Sequence, residues 1–128
     1  MLDRLVAAAR EARANAYAPY TDFAVGAAVL AGDRVFAGAN VENAASPLSI
    51  CAERAAVTAA VAAGFRGIDA LVLVGSAADP TPPCGGCRQV LAEFGADAVV
   101  VSEADDGARR EWTLAELLPD AFGPGQLS

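Results

Sequence analysis

Residues 71–101 read LVLVGSAADPTPPCGGCRQVLAEFGADAVVV, and this stretch decides the class of fold. Residues 71–74 and 98–101 are short, continuous apolar runs, the pattern of strands buried on both faces. Between them, Asp79-Pro80-Thr81-Pro82-Pro83 forces an extended loop, because three prolines remove backbone donors and forbid helix. A helix then starts near Cys84 and ends before Gly95. Upstream, residues 23–30 and 35–39 are rich in Val, Ala and Phe and flank Ala31-Gly32-Asp33-Arg34, which reads as a strand hairpin.

Helices fill most of the remainder. Leu2, Leu5, Val6 and Ala9 recur at helical spacing, which predicts a first helix over 2–14. An alanine-rich helix spans about 49–63 and stops at Gly64. Thr113 and Glu116 form a capping-box signal for a short last helix that Pro119 terminates. A hairpin followed by strands alternating with helices gives a mixed α/β sheet with helices packed on it. At 128 residues, with no linker or internal repeat, the chain is expected to be a single domain over 1–128.

Charge excludes several partners. The net charge is −7, with nine arginines and neither lysine nor histidine. Such a chain lacks the basic face needed to grip nucleic acid through phosphates, or to dock on an anionic membrane. No run approaches the ~18 apolar residues of a transmembrane helix. The N-terminal MLDRLVAAAREARANA carries Asp3 and Glu11, which do not suit a transit peptide, so a cytoplasmic location is expected. A hydrophobic content of 55% in so short a chain hints at self-association, for which Ala55, Ala56, Ala59, Ala60 and Ala63 offer a small-residue helix surface.

The chemistry gathers in Cys51-Ala52-Glu53-Arg54 and Pro83-Cys84-Gly85-Gly86-Cys87. Cys84 and Cys87 lie one helical turn apart, so both sulfurs can meet one ion. Cys51 opens the preceding helix, and helix N-termini favour thiolates. Taken alone, the Cys84/Cys87 pair also fits two buried thiols. With Cys51 and Glu53 added, the pattern is that of a metal site. A closed structural site needs four ligands, which these three cysteines supply only by borrowing a carboxylate or another chain's ligand. An open catalytic zinc needs three. Glu53 then sits within reach of a metal-activated water as a proton shuttle.

Cys-x-Glu followed by Pro-Cys-x-x-Cys is the known zinc deaminase signature in its three-cysteine form. The chain resembles the small homotetrameric cytidine deaminases over nearly its whole length. The similarity rests on YAPYTDFAVGAA (17–28), NVENA (40–44), CAER (51–54), PCGGCRQVLAEF (83–94) and LLPDAF (117–122). The resemblance implies a cytidine deaminase-like mixed sheet of about five strands, with one zinc per subunit on Cys51, Cys84 and Cys87. It implies hydrolytic deamination of cytidine, and of deoxycytidine, with Glu53 as catalytic proton carrier in pyrimidine salvage. It makes Phe23, Asn40, Glu42, Ala44, Ala52 and Phe122 substrate-binding residues, with Phe122 entering a neighbouring subunit's site. Arg54 and Arg88 would offset the thiolate charge. By residue type alone, Phe23 is a core aromatic, Asn40 and Glu42 are strand-end and surface groups, and the two arginines are solvated helix residues.

One position departs from the family pattern. Ser46 stands where the family usually has an aromatic near the ribose pocket, which bears on sugar preference but not on the zinc chemistry. Two other readings use the same residues. One is deamination of another aminopyrimidine nucleoside-like compound, such as a cytosine-containing antibiotic, and the other is a zinc-stabilised fold without turnover.

Overall fold

A computed structural model describes residues 1–127. Helix α1 (Leu2–Arg13) leads to the hairpin β1 (Val25–Ala31) and β2 (Arg34–Ala39). A 3-10 turn at Ser46–Leu48 precedes α2 (Ala52–Ala62). Then follow β3 (Ala70–Gly75), α3 (Gly85–Phe94), β4 (Val99–Glu103), β5 (Arg109–Thr113), α4 (Leu114–Leu117) and a 3-10 turn at Pro124–Leu127. The strands form one mixed sheet in the order β2-β1-β3-β4-β5. Only β3 and β4 pair in parallel, and α3 makes the crossover between them.

The continuous apolar runs are explained by cover on both faces. Alternate residues Leu71, Leu73 and Val100 pack with Ala52, Ala56 and Ala60 of α2 and Leu91 of α3. Their neighbours Val72, Val74 and Val101 pack with Leu5, Val6 and Ala9 of α1. Period-2 side-chain alternation thus feeds two separate cores from the same strands.

Two glycines in the hairpin let the helices approach. Gly26 lies under α1, where an added Cβ would collide with the Ala9 carbonyl and the Arg13 amide. Gly38 lies under α2, where a Cβ would come within 2.6 Å of the Ala56 nitrogen and 2.7 Å of the Ala55 Cβ. The alanines of α2 serve this same contact. Of the five alanines named for self-association, Ala56 and Ala60 are fully buried against the chain's own sheet, whereas Ala55 and Ala59 are half-buried and Ala63 is exposed. A helix seated over glycine needs small side chains on its inner face.

Strand β5 carries no apolar run and was not placed from the sequence. Arg109, Arg110 and Glu111 are exposed, and the strand is identifiable only by its antiparallel ladder with β4. Charged side chains suit an edge strand, where unpaired backbone groups face solvent. The capping box of α4 is present as expected, with the Thr113 hydroxyl accepting from the Glu116 amide and the Glu116 carboxylate accepting from the Thr113 amide.

Gly38→Ala should lower unfolding free energy by about 1–3 kcal/mol, the usual cost of overpacking. Gly67→Ala, at a position with nothing within 4 Å, should be neutral or stabilising by up to about 1 kcal/mol. Denaturant titration of the two variants side by side checks the pair.

Candidate metal centre and active site

Two helix starts build the site. Cys51 is the N-cap of α2 and Cys84 the N-cap of α3, each with extended backbone. The Cys84 sulfur accepts from the Cys87 amide at 3.4 Å, which fixes the first turn of α3 and turns Cys87 toward the same point. Cys51 Sγ lies 3.8 Å from Cys84 Sγ, and Cys84 Sγ lies 3.2 Å from Cys87 Sγ. All three sulfurs fall within 4.8 Å of one another. Tetrahedral zinc with Zn–S bonds of about 2.3 Å separates its sulfurs by about 3.8 Å. The three sulfurs therefore fit zinc, as soft donors at about the spacing that ion requires.

The sulfurs hold their protons unequally. The nearby Cys87 thiol lowers the Cys51 pKa to about 6; burial opposes this, while Cys84 and the charge of Arg54 assist. The same interaction with Cys51 raises the Cys87 pKa, and burial and the nearby Glu53 add to it. Glu53 follows on the inner face of α2 and is only 6% exposed. Burial raises its pKa above the ordinary 4.5, and the Cys51 charge pushes the same way, against its own backbone amide and Arg54. A carboxyl biased toward its protonated form is suited to carrying a proton.

Arg54 lies close enough to the three sulfurs to feel their charge. Burial works against its charge, but the sulfurs of Cys87 and Cys51 outweigh burial and raise its pKa. Its Nε is buried with no hydrogen-bond partner. Gly86 leaves the room it needs, since a Cβ there would stand 3.0 Å from Arg54 Nη2. Arg88 is committed elsewhere. Its Nε donates to the Pro83 carbonyl at 2.8 Å and its Nη1 to the Leu117 carbonyl at 2.9 Å.

A cavity of about 250 Å³ opens onto the cysteines. Cys51, Cys84, Glu53 and Ala52 line it, together with Phe23, Asn40 and Glu42. Asn40 is tied to the start of β1: its Oδ1 accepts from the Val25 amide and its Nδ2 donates to the Phe23 carbonyl, both at 2.8 Å. One amide hydrogen stays available. Glu42 Oε1 accepts from the amides of Tyr20 and Thr21 at 3.0 and 3.2 Å, and Oε2 accepts from the Thr21 hydroxyl. That hydroxyl, more than the two amides, holds the Glu42 pKa below its ordinary value.

Ala44 and Ser46 lie outside this cavity. They line an adjacent, more polar opening of about 460 Å³ that shares Glu42 and Ser49 with it. Phe122 is 58% exposed and lines neither space, its carbonyl accepting from Gln89 Nε2 at 2.9 Å. Thr81, Pro82 and Leu73 also form cavity wall and were not singled out from the sequence. The proline run marked the loop of Thr81 and Pro82, but no local signal says which of its residues face the cavity; Leu73 lies on β3.

Comparison with known proteins agrees with this geometry. A family model for the cytidine and deoxycytidylate deaminase zinc-binding region matches residues 1–103. The cytidine deaminase of Sporosarcina psychrophila is 44% identical over 130 residues, covering 99% of this chain and 95% of that protein. That of Halalkalibacterium halodurans is 47% identical, covering 92% and 91%. The crystal structure of cytidine deaminase from Burkholderia pseudomallei superposes with a TM-score of 0.91 at 46% identity, over 95% of this chain and 99% of that one.

Thiolate is the reactive form of cysteine. In protein stripped of metal, Cys51 should therefore be alkylated well before buried Cys87, at a rate rising as pH increases through about 6. Zinc should protect all three cysteines. Peptide mapping after timed alkylation reads both effects.

Proposed function

The chain belongs to the cytidine and deoxycytidylate deaminase family, and from that membership we propose that it hydrolyses cytidine and deoxycytidine to uridine or deoxyuridine and ammonia. The observation that carries this reading is the buried carboxyl of Glu53 beside three convergent sulfurs, at the wall of a cavity with apolar sides. When bound on Cys51, Cys84 and Cys87, zinc supplies the Lewis acidity that brings a water's pKa toward neutrality.

The chain's own residues do the rest. Glu53 takes the proton of the attacking water and hands it to ring nitrogen 3 as oxygen bonds to ring carbon 4. It then helps protonate the amino group as the C–N bond breaks and ammonia leaves. Phe23 packs against the flat base, and the Ala52 backbone contacts its polar edge. Asn40 and Glu42 take the ribose hydroxyls, pre-oriented by the hydrogen bonds that already hold them. Arg54 offsets the excess negative charge of three thiolates.

A free nucleoside suits the cavity better than a nucleotide. No arginine is among its lining residues, and Glu42 would repel a phosphate. The adjoining opening beside Ser46 favours a second reading, a cytosine nucleoside with a bulkier sugar. Ammonia release from cytidine, against a sugar-substituted analogue, separates the two.

The assembly in this reading is a cytoplasmic homotetramer of one catalytic domain per chain, with shared sites. Tyr17, Val41 and Ile50 are joined through backbone bridges and leave about half of each side chain exposed, with Leu48 exposed nearby. Such an apolar patch, bordering the cavity at Ile50, suits a subunit interface.

Glu53→Gln should keep one zinc per chain yet lower kcat by about 10²–10⁴-fold, the usual worth of a positioned proton carrier. Metal analysis and turnover on the same sample test it. Phe122→Ala should raise KM about tenfold, the ratio that corresponds to 1.4 kcal/mol of lost aromatic contact. Steady-state kinetics with light scattering shows whether the loss follows assembly or contact.

A further inference from the structure

The segment that joins β3 to α3 has few ways to be held. Residues 76–84 form no helix or strand. Pro80, Pro82 and Pro83 have no N–H, so from 80 to 83 only Thr81 can donate from its backbone. The Asp105 amide donates to the Ala77 carbonyl early in the segment, but over 80–83 anchoring falls to side chains that donate to the loop's carbonyls. Two do so on either side of Pro82. Arg88 Nε reaches the Pro83 carbonyl at 2.8 Å, and Ser102 Oγ reaches the Thr81 carbonyl at 2.6 Å.

Ser102 is an unusual residue for its place. It sits on β4 opposite Leu73 of β3, fully buried, two residues beyond Val100 on the face that packs toward α2 and α3. A hydroxyl in such surroundings costs free energy unless it is hydrogen-bonded. Its bond is to the loop. That loop carries Thr81 and Pro82 into the cavity wall and, two residues further on, delivers Cys84 to the sulfur cluster. On the other side, Gly75 keeps Thr81 close, since a Cβ there would stand 3.0 Å from the Thr81 hydroxyl and 3.5 Å from Phe23.

We propose that Ser102 is a positioning residue of the active site. Its hydroxyl sets where the proline loop lies, and through the loop the place of the Cys84 ligand and of the wall against the base. Ser102 touches neither metal nor substrate. The inference rests on the zinc deaminase reading above, but its main readout, release of zinc, needs no substrate.

Ser102→Ala removes one oxygen atom. Transfer of zinc from the protein to a chromogenic chelator should become about fivefold to tenfold faster, the ratio that one ordinary hydrogen bond is worth. KM for cytidine should rise about fivefold, with kcat at saturating zinc within about threefold, because the wall moves while Glu53 stays. Val101→Ala, a core truncation on the opposite face of β4, is the control for stability alone. It should lower the melting temperature without speeding zinc release. Ser102→Thr keeps the hydroxyl and should release zinc at the wild-type rate.

Unchanged zinc release and KM in folded Ser102→Ala overturns the proposal, as does equal acceleration in Val101→Ala. Should Ser102→Ala not fold, Ser102→Thr decides: wild-type release supports the positioning role, and faster release sinks it. Wild-type protein that binds no zinc or releases no ammonia would instead sink the deaminase reading, a distinguishable failure.

Discussion

The convergence of two helix N-termini on one point is the constraint on which the rest of the structure depends. Cys51 caps α2 and Cys84 caps α3, and their sulfurs meet only because both helices lie on the same face of the sheet with their starts adjacent. The partial positive charge at each start favours thiolate, and neither helix supplies three sulfurs alone. Glu53 is placed by the same geometry. One residue into α2 from Ala52, it faces inward where burial biases it toward the protonated form.

Holding two helices that close takes specific concessions from the sheet. Gly38 removes the side chain that would lift α2, and Ala56 and Ala60 accept that proximity. Gly26 does the same for α1 on the other face. The small-residue bias of the chain is therefore a packing requirement. Its surface hydrophobicity is a separate matter and includes Tyr17, Tyr20, Val41, Leu48, Ile50 and Phe122.

The proline loop shows a second kind of constraint. Prolines limit its conformations, which lowers the entropy lost when it is ordered, but they also strip it of donors. The anchors must come from elsewhere in the chain, from Arg88 on the following helix and Ser102 on β4. An arginine beside a metal motif is readily assigned to the charge of the thiolates. Despite burial, Arg54 has its charge favoured by the sulfurs of Cys87 and Cys51, and Arg88 donates to the carbonyls of Pro83 and Leu117, the first of them next to Cys84.

The sequence by itself determined what local spacing can encode. Cys84 and Cys87 one turn apart, Cys51 two residues before Glu53, continuous apolar strands and the Thr113 capping box are all short-range patterns, each tied to a backbone period. The hairpin, the four strands marked by apolar residues, the principal helices and the gathering of three cysteines were legible for that reason. Only the tertiary structure decided features whose partners are far apart in the chain. Strand β5 exists because it pairs with β4, while its own residues are polar. Glu103 is buried because Arg10, 93 positions away, and Arg109 take its two oxygens and hold its carboxyl below the usual range despite burial. Ser102 reads as one more polar residue until Thr81 is seen beneath its hydroxyl. A hydrogen bond across the fold leaves no periodic trace in sequence, because its geometry is set only when the layers close.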